Sequence, residues 1–368
     1  MECSGGHTVY RDVAPQTDYA APHWLDDNLD GDADDPGDHR YPYAYTRATT
    51  MTATTRWRVE PAAAFAGKTF WVTGDGPGAL DIPWTTGPIA GGIITVTRPF
   101  AASFPNAIDM HDPFGVNWSM QVWDPYPLRF YAGASGHSEN PIYVTLGNPQ
   151  TTLFHTLVRI GCSRAAGHTQ TTPTAQAIWG EFTDRIVQRV DNPTTLTYWG
   201  GGSASAVNTA ELLRDGNGQC GAWAEFLRDC WRAQGIGTGM KIGVDPLPPS
   251  EALLVKNWIF NGTGISSTTV PYCYVVNTDV FSTTGVAGQN NPNPPDAFYN
   301  HFIVRYGSAI YDPSYGIPSS SGGFASQALW ETAALDGLTS SGVFRGNPVD
   351  FAKREDPNVI ETTFTSLP

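Results

Sequence analysis

Between residues 46 and 149 the chain breaks into short apolar runs, most of them bounded by Gly, Pro, Asn or Asp. No other feature constrains the fold as much. Thr55-Arg56-Trp57-Arg58-Val59, Thr69-Phe70-Trp71-Val72, Gly92-Ile93-Ile94-Thr95-Val96, Asn117-Trp118-Ser119-Met120-Gln121-Val122 and Pro141-Ile142-Tyr143-Val144-Thr145-Leu146 are strand-like. Short strands at this spacing predict an all-β, sandwich-like domain over 46–150. The composition agrees: only 15% of residues are charged, while Gly (39) and Pro (29) are abundant, which favours strands and turns over long solvated helices. Residues 1–45 carry no such pattern and read as an irregular segment.

After Gly147-Asn148-Pro149 the period changes. Leu153 to Ala165 reads as a helix, as does Thr174 to Val190, where Ile178, Phe182, Ile186 and Val190 recur every four residues. A glycine loop, Gly200-Gly201-Gly202, precedes a helix from about Ala206 to Leu213 and a turn at Asp215-Gly216-Asn217-Gly218. Beyond the next helix the strand pattern returns, at Gly239 to Val244, Leu253 to Phe260, Pro271 to Asn277, Asn300 to Tyr306 and Ala309 to Asp312. Helices followed by antiparallel strands predict an α+β domain over 151–368. A chain of 368 residues has room for two or three domains.

The chemistry concentrates around Cys220. In the segment from Gly218 to Trp231, the residues Trp223, Phe226, Leu227, Cys230 and Trp231 recur at steps of three and four, one apolar helix face ended by Gly235. Cys230 lies within that stripe and reads as a core residue. Cys220 lies in the first turn, where unpaired N–H groups and the positive end of the helix dipole favour a thiolate and stand ready for an oxyanion. A thiol nucleophile needs a base held by a third group. Seven of the eight histidines precede Cys220, and only His301 follows it. His301 opens the run His301-Phe302-Ile303-Val304-Arg305-Tyr306, and Gly307-Ser308 turns it into Ala309-Ile310-Tyr311-Asp312. With a two-residue loop Tyr306 faces Ala309 and Ile303 faces Asp312. His301 and Asp312 are then diagonal neighbours on one face, about 7–8 Å apart at the backbone.

Gly218-Gln219-Cys220-Gly221-Ala222-Trp223-Ala224-Glu225-Phe226-Leu227, with Arg232-Ala233-Gln234-Gly235-Ile236 after it, resembles the nucleophile helix of the transglutaminase-like superfamily. His301 at a strand start and Tyr311-Asp312-Pro313-Ser314-Tyr315-Gly316 resemble that family's histidine and Asp-Pro motifs. The likeness covers roughly Leu153 to Gly316. It implies a papain-like core of helices packed on an antiparallel sheet. It also implies Cys220 as nucleophile, His301 as base and Asp312 as orienting acid, with no cofactor for catalysis. An upstream side chain often assists the oxyanion in this family, and Trp199 is the candidate here. The spacing from His301 to Asp312 is shorter than in many members, and Thr283 to Pro295 reads as an insertion that caps the active-site mouth.

A second candidate site is the acidic run of Asp26, Asn28, Asp30, Asp32 and Asp34, with Gly31 at the bend. It fits the first half of a calcium loop. Gly37 stands where an EF-hand places its bidentate Glu, so the expectation is a structural calcium outside a complete EF-hand. Asp and Glu outnumber Lys and Arg by 35 to 21, with no basic cluster for a phosphate backbone, which argues against nucleic acid as partner. The longest apolar stretches are strand-sized, so no membrane insertion is expected. The first residues lack the pattern of a signal peptide, while low charge and high Thr/Gly/Asn content lean towards an extracytoplasmic or secreted protein. Five scattered cysteines make no disulfide framework.

The leading expectation is cysteine-dependent acyl transfer or amide hydrolysis on a protein or peptide substrate. The competing one is a non-catalytic, calcium-stabilised surface binding module on a degenerate transglutaminase-like fold. The sequence assigns neither an oligomeric state nor a choice between transferase and hydrolase.

Overall fold

The strand-like runs of the N-terminal half form strands, and their alternation sets which side chains are buried. The computed structural model describes residues 1–27, 38–125, 128–202, 204–247, 252–256, 259–260, 273–277, 281–282, 286–295, 297–344, 347–354 and 362–367. The architecture is mixed α+β and mostly strand. The chain divides into two compact units, Met1–Arg11 with Thr17–Gln170, and Asp12–Gln16 with Thr171–Pro368.

The first unit layers two sheets over one core. Glu2–Ser4, Thr52–Arg58 and Ile93–Pro99 form one sheet. The other runs in the order His7–Thr8, Tyr43–Thr46, Leu128–Thr145, Asp109–Pro125, Thr69–Asp75 and Ile82–Pro88. Ala53, Ile94 and Val96 from the first sheet share a cluster with Val72, Phe114, Val116 and Val122 from the second. Trp57 and Trp118 meet edge to face across it, with centroids 5.7 Å apart. Inward-pointing side chains of the two sheets thus share one core. The run from Asn117 to Val122 and the run from Pro141 to Leu146 belong to one long antiparallel hairpin, bulged between His111 and Phe114 and between Val122 and Trp123.

Two differences from the sequence reading concern this unit. Residues 1–45 were expected to be irregular, yet Glu2 pairs with Thr54 and His7 with Ala44. These strands are two or three residues long and their partners are distant, so no local period marks them. The change of character after Pro149 is also not the edge of the unit. Helix His155–Arg164 belongs to the first unit, with Cys162 Sγ donating to Val144 O at 3.5 Å and His155 Nε2 2.9 Å from the Tyr143 hydroxyl. A change of period tells which element begins, not which core it joins.

In the second unit, helices Thr171–Trp179, Thr209–Asp215 and Cys220–Ala233 accompany a four-stranded antiparallel sheet ordered Ala309–Tyr311, His301–Tyr306, Met240–Pro246 and Thr362–Leu367. A five-stranded sheet is ordered Cys273–Asn277, Asn347–Arg354, Leu335–Phe344, Ala252–Val255 and Ala297–Phe298; its first and fourth strands fall in runs that read as strands, while the other three and helix Gln327–Ala334 lie beyond the sequence reading. Ile242, Val244, Ile303 and Ile310 of the first sheet share a core cluster with Leu253 and Leu338 of the second and with Trp330 and Ala334 of that helix.

The helix expected from Thr174 to Val190 ends instead at Trp179. Gly180 follows, and the N–H groups of Gly180, Glu181 and Phe182 donate three residues back, at 3.0–3.1 Å, in a tighter turn. Phe182 is buried by stacking on Trp179, whereas Ile186 is 55% exposed, so the four-residue spacing was no continuous face. Among the described residues no helix is long and apolar enough to cross a membrane.

Candidate active site

Helix Cys220–Ala233 is held at both ends by backbone chemistry. At its start Asn217–Gly218 pairs in parallel with Thr197–Tyr198, and Gln219 donates from its backbone to Ala206 O and from Nε2 to Ala204 O. At its end Gly235 takes a left-handed φ of 77°, and Ile236 N–H closes on Trp231 O at 3.0 Å. Between these ends the apolar stripe is inside: Trp223, Phe226, Leu227, Cys230 and Trp231 are all fully buried. Cys220 is the first residue of the helix and 7% exposed. Its sulfur therefore sits where backbone N–H groups lack intrahelical acceptors.

The helix packs on the strand that carries His301. Trp231 lies 5.4 Å from the Tyr306 ring, and Lys241 on the neighbouring strand pairs with Glu225 at 3.6 Å. The hairpin has the register of a two-residue loop, with Tyr306 opposite Ala309, Arg305 opposite Ile310 and Val304 opposite Tyr311. Asp312 follows directly, and its Oδ2 lies 2.9 Å from His301 Nε2, both side chains fully buried. Trp330 Nε1 donates to the same carboxylate oxygen at 3.1 Å, and its ring stacks on the imidazole at 12° with centroids 6.1 Å apart. Phe298 and Tyr315 enclose the imidazole further, at 4.7 and 5.4 Å.

This enclosure decides the charge of the imidazole. Burial alone lowers the pKa of His301, but the Asp312 charge and hydrogen bond, followed by Cys220, outweigh it and carry the value from 6.5 up to about 10. Nε2 is taken by Asp312, while Nδ1 is buried with no hydrogen-bond partner. The thiol is close enough to favour the imidazolium, so Nδ1 is the nitrogen left for sulfur.

The other thiols are set differently. Among the described residues, Cys3, Cys162, Cys220 and Cys230 take part in no disulfide. Burial pushes the Cys3 thiol up to about 12 and raises Cys230 well above the ordinary range, so both stay protonated at neutral pH.

Tyr198 is a site residue that the sequence reading missed. It is 3% exposed, and its ring meets Tyr315 edge to face at 5.3 Å. Burial, then Tyr315 and Cys220, raise its hydroxyl well above the ordinary value, keeping it a neutral donor. Trp199, the residue singled out for an oxyanion, is half-buried with φ 53°. Its hydrogen bonds among the described residues are backbone ones, to Gly218 O and from Asn291 Nδ2. Consecutive residues point to opposite sides here, and the inward one is Tyr198.

Of the expected cap from Thr283 to Pro295, residues 286–295 are described; Gly288, Gln289 and Pro294 are buried, and Pro292 and Asn293 are exposed. Gln289 is fully buried, and its Nε2 donates to Phe182 O and to the carbonyl of Pro313, the residue after Asp312. Of the acidic run, Asn28, Asp30, Asp32 and Asp34 lie outside the described residues. Only Asp26 is described, and it is half-buried. Among the described residues no group of three or more His, Cys, Asp or Glu is arranged to hold a metal ion. No protein-family model matches the chain, and comparison with curated proteins returns no match.

Proposed function

We propose that the second unit is a transglutaminase-like, papain-related domain that performs acyl transfer or amide hydrolysis through Cys220, His301 and Asp312. The single observation that carries this reading is a fully buried imidazole bonded to a fully buried carboxylate and biased towards its charged form beside a cysteine at a helix start. A structural core has no need to keep a charge there, since burial of an unneeded ion is costly. A nucleophilic thiol does need it, because the imidazolium both balances a thiolate and holds the proton that the leaving group will take.

In this mechanism the Cys220 thiolate attacks the carbonyl carbon of a side-chain or backbone amide. Backbone N–H groups in the first turn of the helix receive the oxyanion. His301 passes its proton to the departing ammonia or amine, leaving a thioester on Cys220 and a neutral imidazole. An amine or water then attacks the thioester, His301 takes its proton, and the thiolate is released. Asp312 keeps the ring oriented and the charged form favoured throughout. The substrate class proposed is a protein or peptide, with transfer to an amine and transfer to water using the same groups.

The test is to trap the acyl-enzyme. Glutamine-containing peptides are incubated with the protein in two reactions, one without hydroxylamine, in which the intact mass is followed, and one with it, in which hydroxamate products are followed. A peptide-sized adduct on Cys220 and hydroxamate formation, both lost in Cys220→Ser, are the expected results. Neither adduct nor hydroxamate with wild-type protein would leave the second reading, a binding module on a degenerate fold.

A further inference from the structure

Three consecutive side chains near the triad each donate to two backbone carbonyls. Gln289 Nε2 donates to Phe182 O and Pro313 O, both at 2.8 Å. Asn290 Nδ2 donates to Val187 O at 3.1 Å and Leu196 O at 2.6 Å. Asn291 Nδ2 donates to Tyr198 O at 2.9 Å and Trp199 O at 3.0 Å. The turn that presents them closes on itself, Gly288 N–H to Asn291 O at 2.9 Å. Its backbone is used as well: Gln289 N–H donates to Ser314 O at 2.9 Å, and Gln289 O accepts from Tyr198 N–H at 2.8 Å. Gly288 has no room for a side chain, since a Cβ there would stand 2.6 Å from Tyr198 Cδ1.

The carbonyls at the two ends of this turn belong to the two arms of the proposed site. Pro313 and Ser314 directly follow Asp312. Tyr198 and Trp199 form the strand end that pairs with Gly218, two residues before Cys220. One rigid turn therefore grips the segment that places the carboxylate and the segment that places the thiol. The carbonyls held by Asn290, at Val187 and Leu196, lie on neither arm.

We infer that the Gln289–Asn290–Asn291 turn is a positioning device that sets the separation between Cys220 and the His301–Asp312 pair. It acts through the backbone and touches no reacting atom. The inference rests on the proposed chemistry of Cys220 and says what keeps its parts in register. Rotation of a backbone carbonyl away from either amide moves one arm against the other, and reacting groups misplaced by about 1 Å lose about 100-fold in rate.

The experiment compares Gln289→Met, Asn291→Ala and Asn290→Ala. Gln289→Met keeps the volume and loses both donations, Asn291→Ala truncates a half-buried side chain and loses both donations together with the bond its Oδ1 accepts from Asn293 N–H, and Asn290→Ala removes two donations off the arms. Rates of Cys220 alkylation by iodoacetamide are read as a function of pH, with the melting temperature of each variant. Gln289→Met and Asn291→Ala are expected to slow Cys220 at neutral pH by about 10- to 100-fold and to move its pH profile. Asn290→Ala is expected to lower the melting temperature comparably and leave the rate and profile as in wild type. A uniform effect of all three, or no effect of any in folded protein, overturns the positioning role. Should Gln289→Met not fold, Asn291→Ala against Asn290→Ala carries the comparison alone. The wild-type rate, read first, separates the two claims. A wild-type Cys220 as slow as Cys230 overturns the proposed chemistry, and a fast one unaffected by the turn overturns only this inference.

Discussion

Asp312→Asn is expected to cut acyl transfer by about 10⁴-fold while leaving the fold of the second unit in place, the scale seen when the orienting acid of a triad becomes its amide. The substitution is nearly isosteric, and an amide oxygen still accepts from Trp330 Nε1. What it removes is the charge. In wild-type protein the folded His301 value is raised from 6.5 to about 10, so the imidazolium contributes stability that is fully present below about pH 6.5 and is lost as pH rises towards about 10. Without the carboxylate, burial is the largest influence left and it lowers the value. The imidazole is then neutral at pH 7, with no proton for a leaving amine and no charge to balance the sulfur. Two measurements check this: hydroxamate formation in the trapping reaction, and unfolding free energy against pH. The slope between about pH 6.5 and pH 10 in wild type should flatten in the variant. A variant with near wild-type turnover would mean that Asp312 does not govern the imidazole.

Trp231→Ala is expected to cost about 3–5 kcal/mol in the second unit. That is a large part of the stability of about 5–15 kcal/mol available to a typical domain. Trp231 is fully buried and links three elements. Its Nε1 donates to Ala175 O at 3.1 Å on one helix, and its ring lies 5.4 Å from Tyr306 and 5.7 Å from Tyr311 on the two strands of the hairpin that carries His301. Gly239 gives the ring its room, since a Cβ at that position would approach Trp231 Cε3 to 2.6 Å. Truncation leaves a cavity, and the hairpin loses the surface that sets its distance from the Cys220 helix. Urea unfolding of the variant reads the loss directly. A change below about 1 kcal/mol would show that the site relaxes around the gap and that the hairpin is held by other contacts.

The most legible part of this site in the sequence was the pairing of His301 with Asp312. Once a two-residue turn at Gly307-Ser308 is assumed, register is arithmetic, and the hydrogen bond at 2.9 Å joins the two residues that the count made diagonal neighbours. The helix of Cys220 was legible for a similar reason, since five apolar residues at steps of three and four describe one face and all five are buried. Other parts had no periodic signal. Trp330 reaches Asp312 from a helix begun by Ser326, whose hydroxyl accepts from Leu329 N–H, but nothing local says which carboxylate its indole will meet. The choice of Tyr198 over Trp199 depends on the left-handed turn at Trp199. The amides of Gln289 to Asn291 read as loop composition because their partners are mainly backbone carbonyls about a hundred residues away. In the first unit the same limit hid Glu2–Ser4 and His7–Thr8, which are too short to show a period.

The central claim is that Cys220 stands beside a charged imidazole. It is tested most directly by following iodoacetamide alkylation of each cysteine between about pH 5 and pH 9, residue by residue, in wild type and His301→Ala. Fast, selective modification of Cys220 is expected already below pH 7, slowed markedly by His301→Ala, while Cys3 and Cys230 stay inert in the folded protein. A Cys220 that reacts no faster than those two buried thiols, or is indifferent to His301, would contradict it.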